Sequence, residues 1–393
     1  LARQATDGEL RRALVALAVT EIVSWGVLYY SLPVASAAIS SDTGWSRTTI
    51  AAIYSSSILL SAFMGIWIGR LLDRIGPRIV MSTGSVIGAA GLVLCSQAPH
   101  LAVFIVAWLV IGVAQSATLY PPAFTALTRW YGVRRAWPLT ILTLVAGFAS
   151  TVFAPLIALL LDHLDWRQAY LVLAAIGLII TLPLHLVALR APWPSTPRGA
   201  TGKTALAVEL RAITHTKRFR ALQAATMVAG LGLYSVTLNL IPLLTARGFS
   251  DSLAALTFGL VGAGQVAGRL VFAPLSGKGT PRARISTQMI LTVVALTLVA
   301  TIPGPVGIVI AAAIFIGAVR GSHTLLMPTS VADRWGTANF GALSGLFNAP
   351  IAAAIAISPL AGALLADGLG GYAAAAGVFA VLAVVGVVLS RRT

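Results

Sequence analysis

The sequence predicts an all-α membrane protein built from twelve transmembrane helices in two pseudo-symmetric six-helix bundles, and three observations carry that prediction. The first is composition. Of 393 residues, 58% are hydrophobic and only 10% charged, and the mean hydropathy is +0.91, far above that of a soluble domain of this length. The second is pattern. Twelve apolar segments, at residues 12–39, 46–69, 78–97, 100–128, 134–161, 166–190, 219–245, 252–275, 284–302, 304–331, 338–366 and 370–390, each come near the ~20 residues that a bilayer-crossing helix needs. The third is that the one long polar interruption, residues 191–218, divides these segments six and six. The expected organisation is an N-terminal bundle over 1–190, a cytoplasmic linker over 191–218 and a C-terminal bundle over 219–393.

A formal charge of +16 would suit a nucleic-acid binder, so the placement of the basic residues matters more than their sum. An even number of spans puts both termini on one side of the membrane. With the N-terminus cytoplasmic, 22 of the 27 lysines and arginines fall inside, Arg47, Arg167 and Arg247 fall outside, and Arg269 and Arg320 lie within spans. Asp42, Asp162, Asp165, Asp251 and Asp367 are also outside, so the bias belongs to the basic residues, as positive-inside sorting requires. The partner implied is the lipid bilayer, not nucleic acid, and the expected location is a bacterial inner (plasma) membrane with both termini cytoplasmic.

Taken in order, Arg11 and Arg12 precede the first apolar segment and Ala35-Ser36-Ala37 stands near its end, a superficial likeness to a cleavable signal. The segment is too long for a signal's apolar core and is read as the first span. The stretch Gly65–Arg78, GIWIGRLLDRIGPR, is read as a tight charged hinge between the second and third spans. Gly76 and Pro77 make the turn, Gly65 and Gly69 let the preceding helix approach a neighbour, and Asp73 is a lone acid among Arg70, Arg74 and Arg78. Paired with an arginine or a helix N-terminus, Asp73 would make a contact that forms in one conformation and breaks in another, a latch. Cys95 is the only cysteine, so no intramolecular disulfide forms and a small buried apolar role is expected. Within the linker, a short surface helix is expected over 205–216.

The halves match at an offset of 204 or 205. Tyr29 falls on Tyr234, Gly44 on Gly248, Ser46 on Ser250, Leu71 on Leu275 and Arg74 on Lys278. Pro77 falls on Pro281, Arg78 on Arg282, Gly112 on Gly317, Arg129-Trp130 on Arg334-Trp335, Pro155 on Pro359 and Asp162 on Asp367. The chain reads as a duplicated six-helix unit.

Twelve spans in two related halves, with GRLLDRIGPR between the second and third, resemble the major facilitator superfamily over essentially the whole chain. Its G-x-x-x-D-[RK]-x-G-[RK]-[RK] loop is matched by Gly69, Asp73, Arg74, Gly76 and Arg78, with Pro77 at a usually basic position. The second copy, Pro274–Arg282, departs because Gly277 replaces the acid, so a weaker latch is expected there. Gly44-Trp45-Ser46-Arg47, Arg129-Trp130-Tyr131-Gly132 followed by Arg134-Arg135-Ala136, and Asp165-Trp166-Arg167 resemble the monocarboxylate and oxalate/formate branch.

Charged groups at membrane depth cost several kcal/mol unless paired or in a watery cavity, so each needs a reason. Arg269 lies well inside the eighth span, with Gln265 one turn earlier on the same face, and it replaces Gly65 of the first half. The branch resemblance implies that Gln265 and Arg269 bind a substrate carboxylate. The alternative is an arginine paired with a buried acid or helix carbonyls. Arg320 and His323 share a face of the tenth span and read either as a second anion contact with a proton carrier, or as an interhelical plug with a histidine donating to a carbonyl. The branch places its second cation elsewhere, including a lysine in the first or eleventh span, and this chain has none there; Arg320 is the candidate substitute. Glu21 is the only acid at depth, and low dielectric favours the neutral form of a carboxyl, the property a reversible proton carrier needs. Its other reading is a pair with a loop arginine such as Arg134. Tyr29, Tyr30, Tyr120, Tyr234, Asn239 and Asn348 read either as cavity lining or as interhelical hydrogen-bonding groups, with the repeat-related tyrosines favouring the cavity. Pro33, Pro121, Pro122, Pro242, Pro328 and Pro359 are expected to kink or break their helices.

The sequence holds no Walker loop, paired histidine–acid metal motif or cysteine cluster, so neither catalysis nor a cofactor is expected and ATP-driven transport is disfavoured. The expected function is secondary active transport of a small, monocarboxylate-like organic anion by alternating access, coupled to protons, in a monomer. A drug or metabolite exporter of the same fold and a non-transporting membrane receptor are the competing readings.

Overall fold

The computed structural model describes residues 5–193, 203–276 and 278–393. Among the described residues all regular structure is helical, and twelve helical stretches are long and apolar enough to cross a membrane. These spans are Asp7–Thr43, Thr49–Ile75, Pro77–Ser96, Leu101–Arg134, Ala136–His163 and Trp166–Ala188, then Lys217–Leu238, Leu256–Leu275, Pro281–Thr301, Val306–Trp335, Phe340–Leu369 and Tyr372–Ser390. The protein is an integral membrane protein. Helix Lys203–Thr214 occupies the stretch where a short surface helix was expected, while residues 194–202 of the linker lie outside the described residues.

Several repeat matches have a common structural cause. Gly44 and Gly248 both sit at positive φ, +73° and +85°, where a side chain would be strained, and so end the preceding segment. Ser46 and Ser250 then accept from the backbone N–H groups of Thr49 and Leu253, capping the next helix. Pro77 and Pro281 both open a helix at its first turn, where no amide donor is needed. A Cβ at Gly112 would meet the Ser57 carbonyl, and one at Gly317 would meet the Val261 carbonyl, the same crossing in each half.

The contacts group the chain into two units, residues 1–199 with 336–349, and 200–335 with 350–393. Residues 336–349 thus have most of their contacts with the first unit. Trp108, Phe104, Tyr170 and Leu28 are central to the core of that unit; Leu233, Leu296, Ile316 and Phe379 are central to the other. Cys95 is buried in the first core, as its small apolar side chain suggests.

One expectation is corrected. The second span continues unbroken to Ile75, so Arg70, Asp73 and Arg74 stand on its last turns and not in a loop. Arginine and leucine are good helix formers, nothing before Gly76 breaks the helix, and Leu72 and Asp73 are buried by their packing. Gly76, at φ +80°, stops it.

Candidate functional site

In the second unit, spans eight and ten cross at backbone contact. Gly264 and Gly268 face the carbonyls of Ile314 and Ala318, while Gly317 and Gly321 face those of Val261 and Gln265, so no side chain keeps the two backbones apart. This crossing carries the candidate cations. Arg269 is buried one turn beyond Gln265, and Gln265 itself is half-buried. Arg320 lies with its guanidinium carbon 3.9 Å from the Tyr234 ring centroid, a cation–π contact, and donates through Nη1 to Thr237 Oγ1 at 3.0 Å. Its Nε is buried and makes no hydrogen bond among the described residues. An arginine held by a ring and one hydroxyl is oriented but not neutralised, which leaves it able to take an anion.

His323, on the same helix as Arg320, is fully enclosed, and neither ring nitrogen has a hydrogen-bond partner among the described residues. The carbonyl acceptor expected for it is not found. Its Nε2 lies 3.7 Å from where a Cβ on Gly230 would stand, an ordinary van der Waals distance, while the tighter neighbour of that glycine is Ile355. Asn239 donates to the carbonyls of Ser235 at 2.9 Å and Pro359 at 3.2 Å, which makes it a tie between spans seven and eleven. Pro359 has no amide to donate to Ile355, and Ser358 Oγ takes that carbonyl instead, at 2.7 Å.

The first unit holds the acid. Glu21 is completely buried; its Oε2 accepts from the Trp25 indole at 2.9 Å, and Oε1 has no hydrogen-bond partner among the described residues. Arg134, its alternative partner, lies instead 3.8 Å from Asp7 on the surface. Directly after Trp25 the helix opens into a π-helical turn, Gly26–Tyr30. The wider i→i+5 turn lets residues both four and five beyond Trp25 pack on it: Tyr29 at 4.7 Å and Tyr30 at 6.4 Å between centroids. Tyr120 packs on the same indole at 5.0 Å. Asn348 also belongs to this unit. Its amide donates to Ser344 Oγ at 2.9 Å and its Oδ1 is buried with no hydrogen-bond partner among the described residues.

The Asp73 carboxylate is bound on two sides. Arg129 Nη1 donates to Oδ1 at 3.0 Å, and the backbone N–H groups of Gly341 and Ala342 donate to Oδ1 and Oδ2 at 3.0 and 2.7 Å. Phe340–Leu369 begins there, so Asp73 accepts from the unsatisfied amides of a helix N-terminus. Gly69 and Gly341 bring the two backbones into direct contact, and Gly345 packs on the Gly65 carbonyl. The arginine partner is therefore Arg129 of the fourth span, while Arg74 is exposed and Arg78 donates to the Leu186 carbonyl at 2.9 Å. Trp193 completes the arrangement. Its indole N–H donates to the Asp73 carbonyl at 3.2 Å, its ring lies 4.5 Å from the Arg129 guanidinium carbon, and it packs over Gly76. In the second unit, Gly277 lies outside the described residues. The ion pair there joins Arg284 to Asp333 at 2.6 Å, and Arg284 also donates to the Ser276 carbonyl.

Residues 17–349 match the family profile of the Major Facilitator Superfamily. The chain belongs to this superfamily. A likeness to human monocarboxylate transporter 11 reaches 27% identity over 317 residues, covering 78% of this chain and 62% of that protein. Monocarboxylate transporter 13 of Rattus norvegicus is 32% identical over 118 residues, 30% of this chain and 26% of the relative. The chain thus spans less than two thirds of the length of either relative. Among solved structures, a superfamily transporter, FucP, in the outward conformation superposes with a TM-score of 0.75 at 16% identity, covering 97% of this chain and 98% of that one. The human organic anion transporter MFSD10 superposes at 0.71 and 18% identity, covering 97% and 99%. At those identities the structural likenesses establish the fold alone.

The chain is thus a member of this superfamily in a membrane environment. Several participants escaped the sequence reading. Thr237 carried no motif, Trp193 looked like part of a polar linker, and Arg129 lies 56 residues from the acid it binds. Arg129 did leave a signal, since Arg129-Trp130 recurs as Arg334-Trp335 in the second half.

Proposed function

We propose that this transporter carries a small organic anion, bound through its carboxylate by Arg269 and Arg320, and that it couples the movement to protons through Glu21 by alternating access. One observation carries the proposal: Arg320 is oriented by Tyr234 and Thr237 with no acid paired to it among the described residues, on the helix that crosses the Arg269 helix at backbone contact. Two guanidinium groups against a single depth acid leave an excess of positive charge that a carboxylate can complement through forked contacts. The relatives described as monocarboxylate transporters point the same way. Glu21, with one oxygen lacking a partner among the described residues, has the setting of a group that takes up and releases a proton, and His323 is the second carrier.

The latch belongs to the same reading. Asp73 binds the start of the eleventh span through helix amides and Arg129 through its side chain, bonds that one conformation makes and the other releases. The monomer and the inner membrane are part of the proposal, as are the cytoplasmic termini, which the placement of the basic residues supports.

The test is uptake of radiolabelled substrate into proteoliposomes, with and without an inward proton gradient, in competition with monocarboxylates, dicarboxylates and lipophilic cations. Competition by carboxylates and acceleration by the gradient are expected. Competition by cations alone would replace this reading with an exporter, and ligand binding without flux would replace it with a receptor.

A further inference from the structure

Spans three and six of the first unit run antiparallel and are tied at three levels. At one end the Arg78 Nε donates to the Leu186 carbonyl at 2.9 Å. Further along, Ser85 Oγ meets His185 Nδ1 at 2.9 Å and accepts from Thr181 Oγ1 at 2.8 Å. At the other end Arg167 donates to the carbonyls of Ser96 and Ala98 at 3.4 and 3.0 Å. A second guanidinium joins the first of these ties: Arg190, just past the end of span six, donates through Nε to the same Leu186 carbonyl at 3.3 Å. One acceptor thus holds two arginines side by side.

Capping a helix end does not account for the pair. The last carbonyls of a helix lack amide partners and favour a nearby cation, but one arginine would serve. Each guanidinium has five N–H donors, and here each uses its Nε alone among the described residues. Both side chains are exposed, and no carboxylate pairs with either among the described residues: Asp7 lies by Arg134, Asp42 by Arg167 and Asp73 by Arg129. Residues 191–202, which follow directly, contain no acid. Two like charges are therefore held together with their Nη groups open.

The surface that runs from this pair along the two spans is aliphatic. Ile79, Val86 and Val93 recur every seven residues on span three and are all exposed; Ile179 and Leu186 repeat the spacing on span six, with Ile179 70% exposed. Seven residues make about two helical turns, so each set forms one stripe along its helix. Val187, beside the shared carbonyl, is 62% exposed. Exposed aliphatic stripes on membrane spans are surfaces for acyl chains.

We propose that Arg78 and Arg190 hold the phosphate of an anionic phospholipid whose acyl chains lie along the aliphatic stripes of spans three and six. A phosphodiester presents two charged oxygens, which two guanidinium groups can take together. A free phosphate would use the arginines and leave the stripes idle. A choline headgroup brings its own cation to a place that already holds two, whereas a glycerol headgroup brings none. The Leu186 carbonyl orders both side chains before the lipid arrives, which lowers the entropic cost of binding. The site lies wholly within the first unit and uses none of the residues proposed for substrate or proton.

The experiment is native mass spectrometry of the purified protein titrated with phosphatidylglycerol, with phosphatidylcholine and inorganic phosphate as the further probes. The first phosphatidylglycerol is expected to bind about twentyfold more tightly than phosphatidylcholine. Arg78→Gln and Arg190→Gln should each weaken it about fivefold, and the double variant should bind the two lipids alike. Arg282→Gln, at the repeat counterpart of Arg78 and also exposed, should leave the preference unchanged. Equal binding of the two lipids by the unaltered protein would overturn the proposal, as would a preference that survives in the double variant. Displacement of phosphatidylglycerol by millimolar phosphate would overturn the lipid assignment in favour of a free-anion site.

Discussion

Tyr29 and Tyr234 occupy corresponding places in the two repeats, and their surroundings differ completely. Around Tyr29 stand Trp25, Tyr30 and Tyr54, with buried Glu21 behind the indole; against Tyr234 lies the guanidinium of Arg320. At the repeat offset, each ionisable group at depth is matched by a neutral residue: Glu21 by Thr226, Arg269 by Gly65, Arg320 by Gln115 and His323 by Thr118. The neutral partners serve structure. Thr226 and Thr118 bond back to carbonyls of their own helices, and Gln115 donates to the Leu28 carbonyl at 2.8 Å. By contrast, the turn glycines, serine caps and crossing glycines are held in common. Duplication preserved the packing frame and left the chemistry free to diverge, with acid and rings on one side and cations on the other.

The comparison breaks most completely at Arg269. Arg269→Ala is expected to reduce carboxylate uptake in proteoliposomes to background while the protein still folds, since the crossing beneath it rests on Gly264 and Gly268. Arg269→Lys keeps the charge without the planar fork and should still lose most of the affinity. Full uptake by Arg269→Ala would show that the cationic half does not bind the substrate. The next largest effect falls on the acidic half. Glu21→Gln should abolish uphill accumulation driven by a pH gradient and retain counterflow exchange, which moves no net proton. Retained accumulation would move the proton to His323.

The frame was legible in the sequence because it depends on local rules. Apolar runs of spanning length, prolines at helix starts and glycines at turns act within a few residues. The end of the second span was misplaced because Arg70, Asp73 and Arg74 look like a loop by hydropathy yet are compatible with a helix, and only burial against Arg129 and Trp193 decides the matter. The depth arginines could be singled out by their cost in lipid. Their supports could not, since Thr237 is an ordinary apolar-helix threonine until Arg320 arrives from 83 residues away. The tyrosines could be selected as a set, but their arrangement over Trp25 depends on a π-helical turn that no residue in Gly26–Tyr30 announces.

The two ion pairs near the span ends sharpen the comparison further. In the first unit the acid is on the second span and the arginine on the fourth; in the second unit Asp333 is on the tenth span, the repeat counterpart of the fourth, and Arg284 is on the ninth. Asp73 has helix amides to hold as well as a guanidinium, whereas Asp333 forms an ion pair with Arg284. Replacing one carboxylate oxygen by an amide weakens charge-assisted bonds by about 1–2 kcal/mol in total, so Asp73→Asn should lower flux about tenfold with ligand affinity within about twofold. Asp333→Asn should lower flux only about threefold by the same scale. Equal losses in the two variants would mean that the helix amides add nothing to the latch.

The last test lies at Tyr234, where the comparison began. If Tyr234 acts by orienting Arg320, its ring face matters and its hydroxyl does not, so Tyr234→Phe should bind carboxylate as the unaltered protein does. Tyr234→Leu removes the cation–π contact, worth roughly 0.5–2 kcal/mol at a partly desolvated site, and should weaken binding about fivefold. The loss must also disappear in an Arg320→Ala background, because a ring that works only through the guanidinium has nothing left to orient once that group is gone. If Tyr234→Leu instead weakens binding as much with Arg320 absent as with it present, Tyr234 touches the substrate itself. The two repeat tyrosines would then share a task after all, and the division between a ring half and a cation half would fail at the residue pair that first displayed it.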